Sequence, residues 1–159
     1  MTLAQHGGAL AASTEILIGD AGGEHVLIRP LSRCHPGLFD YWDGNWIDCD
    51  ILITAGAFRG NFRANLRSEE FRAFLDDVEG VGSTLDGAAR FSTIEDQLAL
   101  SLVADGKGHI HVSGEAVDIA GDGNSLQFGF DIDQTCLPAL SQSLAHLLEA
   151  FPVIGTAEA

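Results

Sequence analysis

The segment from His109 to Glu115 holds the residues whose types and spacing most clearly suggest chemistry. His109 and His111 are two positions apart, and Glu115 lies four positions beyond His111. In an extended strand, side chains at even spacing point to one face, so these three side chains share a face. Imidazole and carboxylate groups are frequent ligands of zinc and other transition ions. One hypothesis is therefore a small metal-binding enzyme.

This metal hypothesis has a partial parallel in a known motif. The segment resembles the first motif of the cupins, a His-x-His pair followed by a glutamate. The second cupin motif, a Pro-x-Gly followed by a further histidine, does not occur, because His146 falls in the final predicted helix. A metal site also needs several placed ligands with supporting partners. We therefore retain a cupin-like enzyme that uses His109, His111 and Glu115 only as an alternative, and we expect no metal and no cofactor.

No other arrangement of residues indicates catalysis. The sequence lacks the Gly-x-Ser-x-Gly elbow of hydrolases and the glycine patterns that cradle phosphates. Adjacent acidic residues such as Asp76-Asp77 are expected by chance in so acidic a chain. We therefore expect no catalytic residues and no enzymatic activity.

The net charge restricts the classes of partner. The 159 residues include 23 acidic residues and 8 lysines or arginines, and the formal net charge is -15. Binding of nucleic acid through its phosphates requires a basic surface, so the composition argues against nucleic acid and against anionic membranes. A basic protein partner would suit this charge, although solubility alone would also account for it.

Cysteine content and hydropathy indicate the compartment. The three cysteines, Cys34, Cys49 and Cys136, are widely spaced and odd in number, so neither a disulfide framework nor a Cys-x-x-Cys metal motif is visible. This favours a reducing environment. No apolar run approaches the roughly 18 to 20 residues of a membrane span, and the N-terminal segment lacks the basic residues of a signal peptide. We expect a cytoplasmic protein.

The elements that position these residues indicate an α+β protein. Alternating apolar and polar residues predict an antiparallel sheet of about seven or eight strands. Apolar residues at spacings of three and four predict two amphipathic helices that pack on the sheet. Residues 1–14 are small and polar, so we expect a flexible tail there and a single domain over residues 15–155.

A β-hairpin from Trp46 to Arg67 is the clearest structural pattern. Apolar residues alternate along both halves, and Gly56-Ala57 supplies a two-residue turn. That turn places Asp50 opposite Arg63 and collects the apolar residues on one face. We expect the other face to be a solvent-exposed ladder of opposite charges. The ladder contains Asp48, Asp50, Arg59, Arg63 and Arg67.

Helix boundaries follow from capping and breaking residues. Ser68 is a favourable N-cap, so we predict a helix from there to about Glu79. Gly80 and Gly82 are expected to end this helix. The second helix is predicted to begin with Thr135 as its cap.

An aromatic and acidic stretch precedes and enters the hairpin. Large aromatic side chains surrounded by negative charge are typical of interfaces with basic partners. Burial at the end of the core is the favoured state for Trp42 and Trp46, whereas the aspartates are free to contact a partner. We predict a partner-binding surface that consists of Asp40, Tyr41, Trp42, Asp43, Asp48 and Asp50.

Several segments together resemble the WapI-type immunity proteins. They are HPG, DYWDGNW, AGAFRGNFRANLRSEEF, DGKGHIHVSGEA, DQT and FPV. The resemblance extends from about Pro30 to Val153 and implies a small bacterial, cytoplasmic antidote. Such a protein binds and blocks the toxic C-terminal nuclease domain of a secreted toxin. The resemblance supplies no catalytic residues. A structural or adaptor domain with a different partner remains the alternative from another class.

Overall fold

The computed structural model describes residues 13–157, which form eight strands and three α-helices. The strands are β1 Ile16–Gly19, β2 His25–Arg33, β3 Trp46–Ala55, β4 Phe58–Arg67, β5 Asp86–Phe91, β6 Leu98–Asp105, β7 His109–Val117 and β8 Ser125–Asp133. The helices are α1 Tyr41–Gly44, α2 Ser68–Thr84 and α3 Leu137–Ala150. A 3-10 turn, Gln134–Cys136, precedes α3.

The strands form two antiparallel sheets of four, with the orders β1-β2-β3-β4 and β5-β6-β7-β8. The predicted α+β class and strand number are confirmed, but the strands divide into two sheets, and α2 connects the edge strand β4 of the first sheet to the edge strand β5 of the second. Each sheet is followed by a long helix. α2 packs against β5 of the second sheet, α3 packs against β1 of the first sheet, and the two helices pack against each other. The two halves of the chain are therefore interlocked.

The β3–β4 hairpin has the predicted register. Ala55 pairs with Phe58 and Asp50 pairs with Arg63, so the turn is Gly56-Ala57. Gly56 has a φ of 60°, a conformation that glycine adopts without strain. The alternation along β3 then places every second side chain in the core.

The core lies between the inner faces of the two sheets and the apolar sides of α2 and α3. Isoleucines dominate the contribution of the first sheet, and leucines dominate that of α3. The fully buried side chains include Ile16, Ile28, Ile47, Ile51, Phe71, Phe74, Phe91, Leu102, Leu144 and Leu147. The opposite faces of both sheets carry the polar and partly exposed side chains.

The predicted boundaries of the long helices need correction. α2 continues through Gly80 and Gly82 to Thr84, because the buried Val78 and Val81 hold its last turns against the core. Its N-cap is Arg67, not Ser68. The second predicted helix is α3, which begins at Leu137. The 3-10 turn before it is capped by the side chain of Asp133, not by Thr135.

Neither long helix in residues 13–157 has both the length and the hydrophobicity of a membrane-spanning helix. The first twelve residues of the predicted tail 1–14 lie outside the described residues. The division into this tail and a domain over residues 15–155 stays a prediction.

Candidate functional site

The short helix α1 lies between β2 and β3 and presents an exposed apolar group. Asp40 is its N-cap, and the Asp40 carboxylate accepts a hydrogen bond of 3.0 Å from the Asp43 backbone N–H. Leu38, Phe39 and Trp42 are 44%, 75% and 53% exposed. We call Leu38, Phe39, Asp40, Trp42 and Asp43 the α1 surface. It places three large apolar side chains beside two exposed aspartates.

The buried side chain of Arg67, at the end of β4, anchors α1 to the hairpin. Its guanidinium donates hydrogen bonds to the carbonyl oxygens of Tyr41 and Trp42, at 2.8 and 2.6 Å, and pairs with the Glu69 carboxylate. The rings of Tyr41, Trp42 and Trp46 surround it, with centroids 5.3, 5.5 and 4.8 Å from the guanidinium carbon. Only 1% of this arginine is exposed. The prediction that Arg67 belongs to the solvent-exposed ladder is wrong, because α1 folds over this end of the hairpin.

Two further side chains fix the backbone of α1. Asn45 donates to the carbonyl oxygens of Tyr41 and Ile154, both at 2.9 Å, and accepts from the Ile154 N–H at 2.8 Å. Arg33 donates to the carbonyl oxygens of Gly44 and Pro152, at 3.1 and 2.5 Å. The segment after α3 is thereby tied to α1. A backbone held at both sides presents its exposed side chains with little further loss of conformational entropy on binding.

Asp48 and Asp50 lie on the outer face of the first sheet, where the predicted ladder is partly present. Arg63 donates to Asp48 at 2.9 Å, and a nitrogen of Arg29 lies 4.0 Å from an oxygen of Asp50. By contrast, Asp40 and Asp43 form no ion pair within residues 13–157. The negative charge of the α1 surface is thus less compensated than that of the sheet.

The tryptophans differ from the expectation that both fill the core. Trp42 is more than half exposed, and Trp46 is half-buried against the Arg67 guanidinium. Arg67 explains this placement of the two tryptophans. The faces of aromatic rings stabilise a positive charge, so both indoles pack against the guanidinium and do not enter the aliphatic core.

The three residues of the metal hypothesis do not form a site together. His109, His111 and Glu115 share one face of β7, as the alternation predicts, and this face is the exposed outer face of the sheet. His109 lies 3.1 Å from Asp105, and His111 lies 2.8 Å from Asp131, so each imidazole has a separate carboxylate partner. Within the described part of the chain, no three His, Cys, Asp or Glu side chains are grouped so that they could hold a metal ion.

Burial shifts the pKa values of one carboxyl group and two thiols near the site. Burial raises the pKa of Glu70 to about 7. Its carboxylate nevertheless accepts from the backbone N–H groups of Arg67 and Ile94, at 2.9 and 2.7 Å, and so joins the start of α2 to the β5–β6 loop. Burial also raises the pKa of the thiols of Cys34 and Cys49. Raised thiol pKa values disfavour the thiolate that nucleophilic chemistry requires.

Sequence reasoning missed Leu38 and Phe39 as part of the α1 surface. Both residues directly follow the His35-Pro36-Gly37 turn, and the sequence alone does not distinguish an exposed apolar residue before an N-cap from one that packs against the helix. The contacts by which Arg33 and Asn45 tie the segment after α3 to α1 left no local signal, because Pro152 and Ile154 lie more than a hundred positions away in the chain.

The chain matches one family model and, among solved structures, chains of low sequence identity. A chain from the crystal structures of Trypanosoma bruciei MRP1/MRP2 has a TM-score of 0.49 and 12% identity, with 94% of each chain covered. A chain of the CdiA-CT/CdiI toxin and immunity complex from Enterobacter cloacae has a TM-score of 0.41 and 11% identity, with 82% of this chain and 97% of that chain covered. Among curated proteins, none matches.

The family match is extensive. The profile of the immunity protein WapI-like family matches residues 16–152, from the first residue of β1 to just beyond α3. It includes α1, the hairpin and the buried Arg67. The resemblance that the DYWDGNW and DQT segments indicate is confirmed, and the chain belongs to the immunity protein WapI-like family.

Proposed function

We propose that this protein neutralises a toxin domain by binding it in a stoichiometric complex, without performing a reaction itself. Family membership supports an immunity role. The observation that carries the binding mechanism is the α1 surface, where Leu38, Phe39 and Trp42 are exposed on a backbone that Arg67 holds rigid. Exposed large apolar groups that lie close together are a mark of protein interaction sites.

The chemistry of this surface suits a cationic partner. Trp42 and Phe39 can supply the buried anchors of an interface, and aromatic anchors often account for most of the binding energy. Asp40 and Asp43 lie beside them and form no ion pair within residues 13–157, and Asp48 and Asp50 continue the row of carboxylates along the sheet, each beside an arginine. Long-range attraction between opposite charges accelerates association.

A nuclease domain is the partner that we expect. The active site of a nuclease holds phosphate groups, so its surroundings are positively charged and a carboxylate-rich surface can occupy them. The proposal places the complex in the cytoplasm, where the toxin would act. The toxin is expected to be encoded directly upstream of this chain's gene, with its variable domain at the C-terminus.

The test measures association with the C-terminal domain of that neighbouring toxin at several salt concentrations. Asp40→Asn combined with Asp43→Asn removes two charges, and asparagine at position 40 retains the helix cap. We expect slower association and a weaker dependence on salt. The matched control, Asp76→Asn with Glu79→Gln, removes two charges from exposed positions of α2. Equal salt dependence in both variants would exclude the α1 surface from the binding mechanism.

Trp42→Ala provides an independent test of the apolar contribution. Removal of a central aromatic anchor is expected to increase the dissociation rate by about tenfold or more. Phe58→Ala is the control, because Phe58 is 65% exposed but lies at the opposite end of the hairpin from α1. An unchanged dissociation rate for Trp42→Ala would show that the indole is not an anchor.

A further inference from the structure

We infer that the toxin-binding surface extends from α1 along the outer face of the first sheet to a row of leucines at Leu17, Leu27 and Leu52. This inference rests on the proposed function. It adds a second apolar contact region to the same interface and assigns it to residues that form part of the sheet.

The leucine row is defined by the strand register. Leu17 of β1 pairs with Leu27 of β2, which pairs with Leu52 of β3. All three side chains point to the outer face, since their strand neighbours on either side are buried in the core. Leu17 is 36% exposed, and the other two are half-buried within the sheet surface. The row crosses three strands as one apolar strip.

α1 is too small to form a stable interface by itself. α1 has four residues, so its axis is only about 6 Å long. A stable interface of standard size covers about 800 Å² on each partner, which corresponds to a patch roughly 30 Å across. The α1 surface alone falls well short of this area. A complex centred on α1 must therefore also cover neighbouring parts of the protein.

The outer face of the first sheet is continuous with α1. Arg67 and Trp46 pair at the end of the hairpin that α1 covers. Leu52 lies six residues along β3 from Trp46, a distance of about 20 Å in an extended strand. Both the α1 surface and the leucine row therefore fit within one standard footprint.

The charged residues between the α1 surface and the leucine row favour a partner that makes an apolar contact with the leucine row. Glu15, Arg29 and Asp50 form one set of ion pairs, and Asp48 and Arg63 form another. A partner that covers this stretch meets charges that are already compensated, so the leucines supply the net apolar contact. The partner should thus be cationic opposite α1 and apolar opposite the leucine row.

A second copy of this chain is a less suitable occupant. Each copy carries a formal net charge of -15, so two copies repel each other at low salt. A cationic toxin domain is attracted instead. The leucine row is therefore assigned to the toxin and not to self-association.

The experiment compares binding of the neighbouring toxin's C-terminal domain by the full chain and by the Leu27→Ala, Leu52→Ala double variant. Alanine removes apolar contact without changing charge, so the association rate should stay unchanged. The dissociation rate should increase by about tenfold or more. Val103→Ala is the control, since Val103 is 44% exposed on the outer face of the second sheet. Circular dichroism of each variant establishes that it is folded.

The outcomes separate this inference from the proposed function. An unchanged dissociation rate for the leucine variant overturns the inference, while the charge variants of α1 still test the proposed function by themselves. Sedimentation of the chain alone should show a monomer. A dimer that the leucine substitutions dissociate would assign the row to self-association and overturn the inference.

Discussion

Replacing Arg67 with alanine is expected to destabilise the protein strongly, because the guanidinium is buried and several groups depend on it. The substitution removes two hydrogen bonds to the carbonyl oxygens of Tyr41 and Trp42 and the ion pair with Glu69. The Oε1 atom of Glu69 is already buried without a hydrogen-bond partner in the described structure. After the substitution, the whole Glu69 carboxylate would lack a partner.

The size of the effect follows from these losses. Removing one partner of a buried ion pair costs about 3 to 5 kcal/mol, and the lower end of this range applies here because the Glu69 side chain is 22% exposed. For a protein of 159 residues, this corresponds to a decrease in Tm of roughly 10 °C. The three aromatic rings around Arg67 would also lose their cation contact. α1 would then become mobile, so toxin binding should weaken as well.

Urea unfolding followed by circular dichroism measures this difference directly. Arg63→Ala is the matched control, because Arg63 occupies the same strand and the same outward side-chain direction but has a side chain that is 62% exposed. We expect the control to change the free energy of unfolding by less than about 0.5 kcal/mol. If Arg67→Ala and Arg63→Ala reduce stability equally, then Arg67 belongs to the exposed ladder and the role assigned to it here is refuted.

Two further predictions concern the stability of the fold. The folded-state pKa of Glu70 is raised to about 7, above its ordinary value of 4.5, so its contribution to stability is present at low pH and is lost as pH rises through the folded pKa. We expect unfolding free energy to fall by about 2 to 3 kcal/mol between about pH 5 and about pH 8 through this group. Glu70→Gln should flatten that part of the profile in urea titrations, and an unchanged slope would contradict the assignment. Gly80→Ala and Gly82→Ala should each raise stability by about 0.5 to 1 kcal/mol, because α2 continues through both positions and no atom lies within 4 Å of either added Cβ. A decrease in the urea midpoint for either variant would indicate that the helix is interrupted there.

Local patterns in the sequence predict the hairpin and the strands well. The register of β3 and β4 follows from one two-residue turn and from alternation, both of which involve residues close together in the chain. The turns between β6, β7 and β8 are likewise marked by glycine and aspartate. Alternation also predicts that His109, His111 and Glu115 share one face of their strand, as they do in β7.

Properties that depend on distant residues could not be predicted in the same way. Arg67 has the spacing of an exposed strand residue, and only the fold of α1 over the hairpin makes it buried. The division into two sheets depends on how α2 packs against β5, and the length of α2 depends on the burial of Val78 and Val81. The partner-binding surface predicted from the sequence stays a prediction: Asp40 and Asp43 lie on the α1 surface, but the exposure of Leu38 and Phe39 and the buried arginine beneath α1 come from tertiary structure.

The most direct test of the central claim is a titration of the neighbouring toxin's C-terminal domain with this protein, in which the toxin's enzymatic activity is measured. A stoichiometric inhibitor should abolish the activity once one molecule of protein is present per molecule of toxin. The same activity should return when the complex is dissociated. Loss of toxin activity at far lower ratios would show that the protein acts as a catalyst, and full activity in the presence of excess protein would show that this toxin is not its partner.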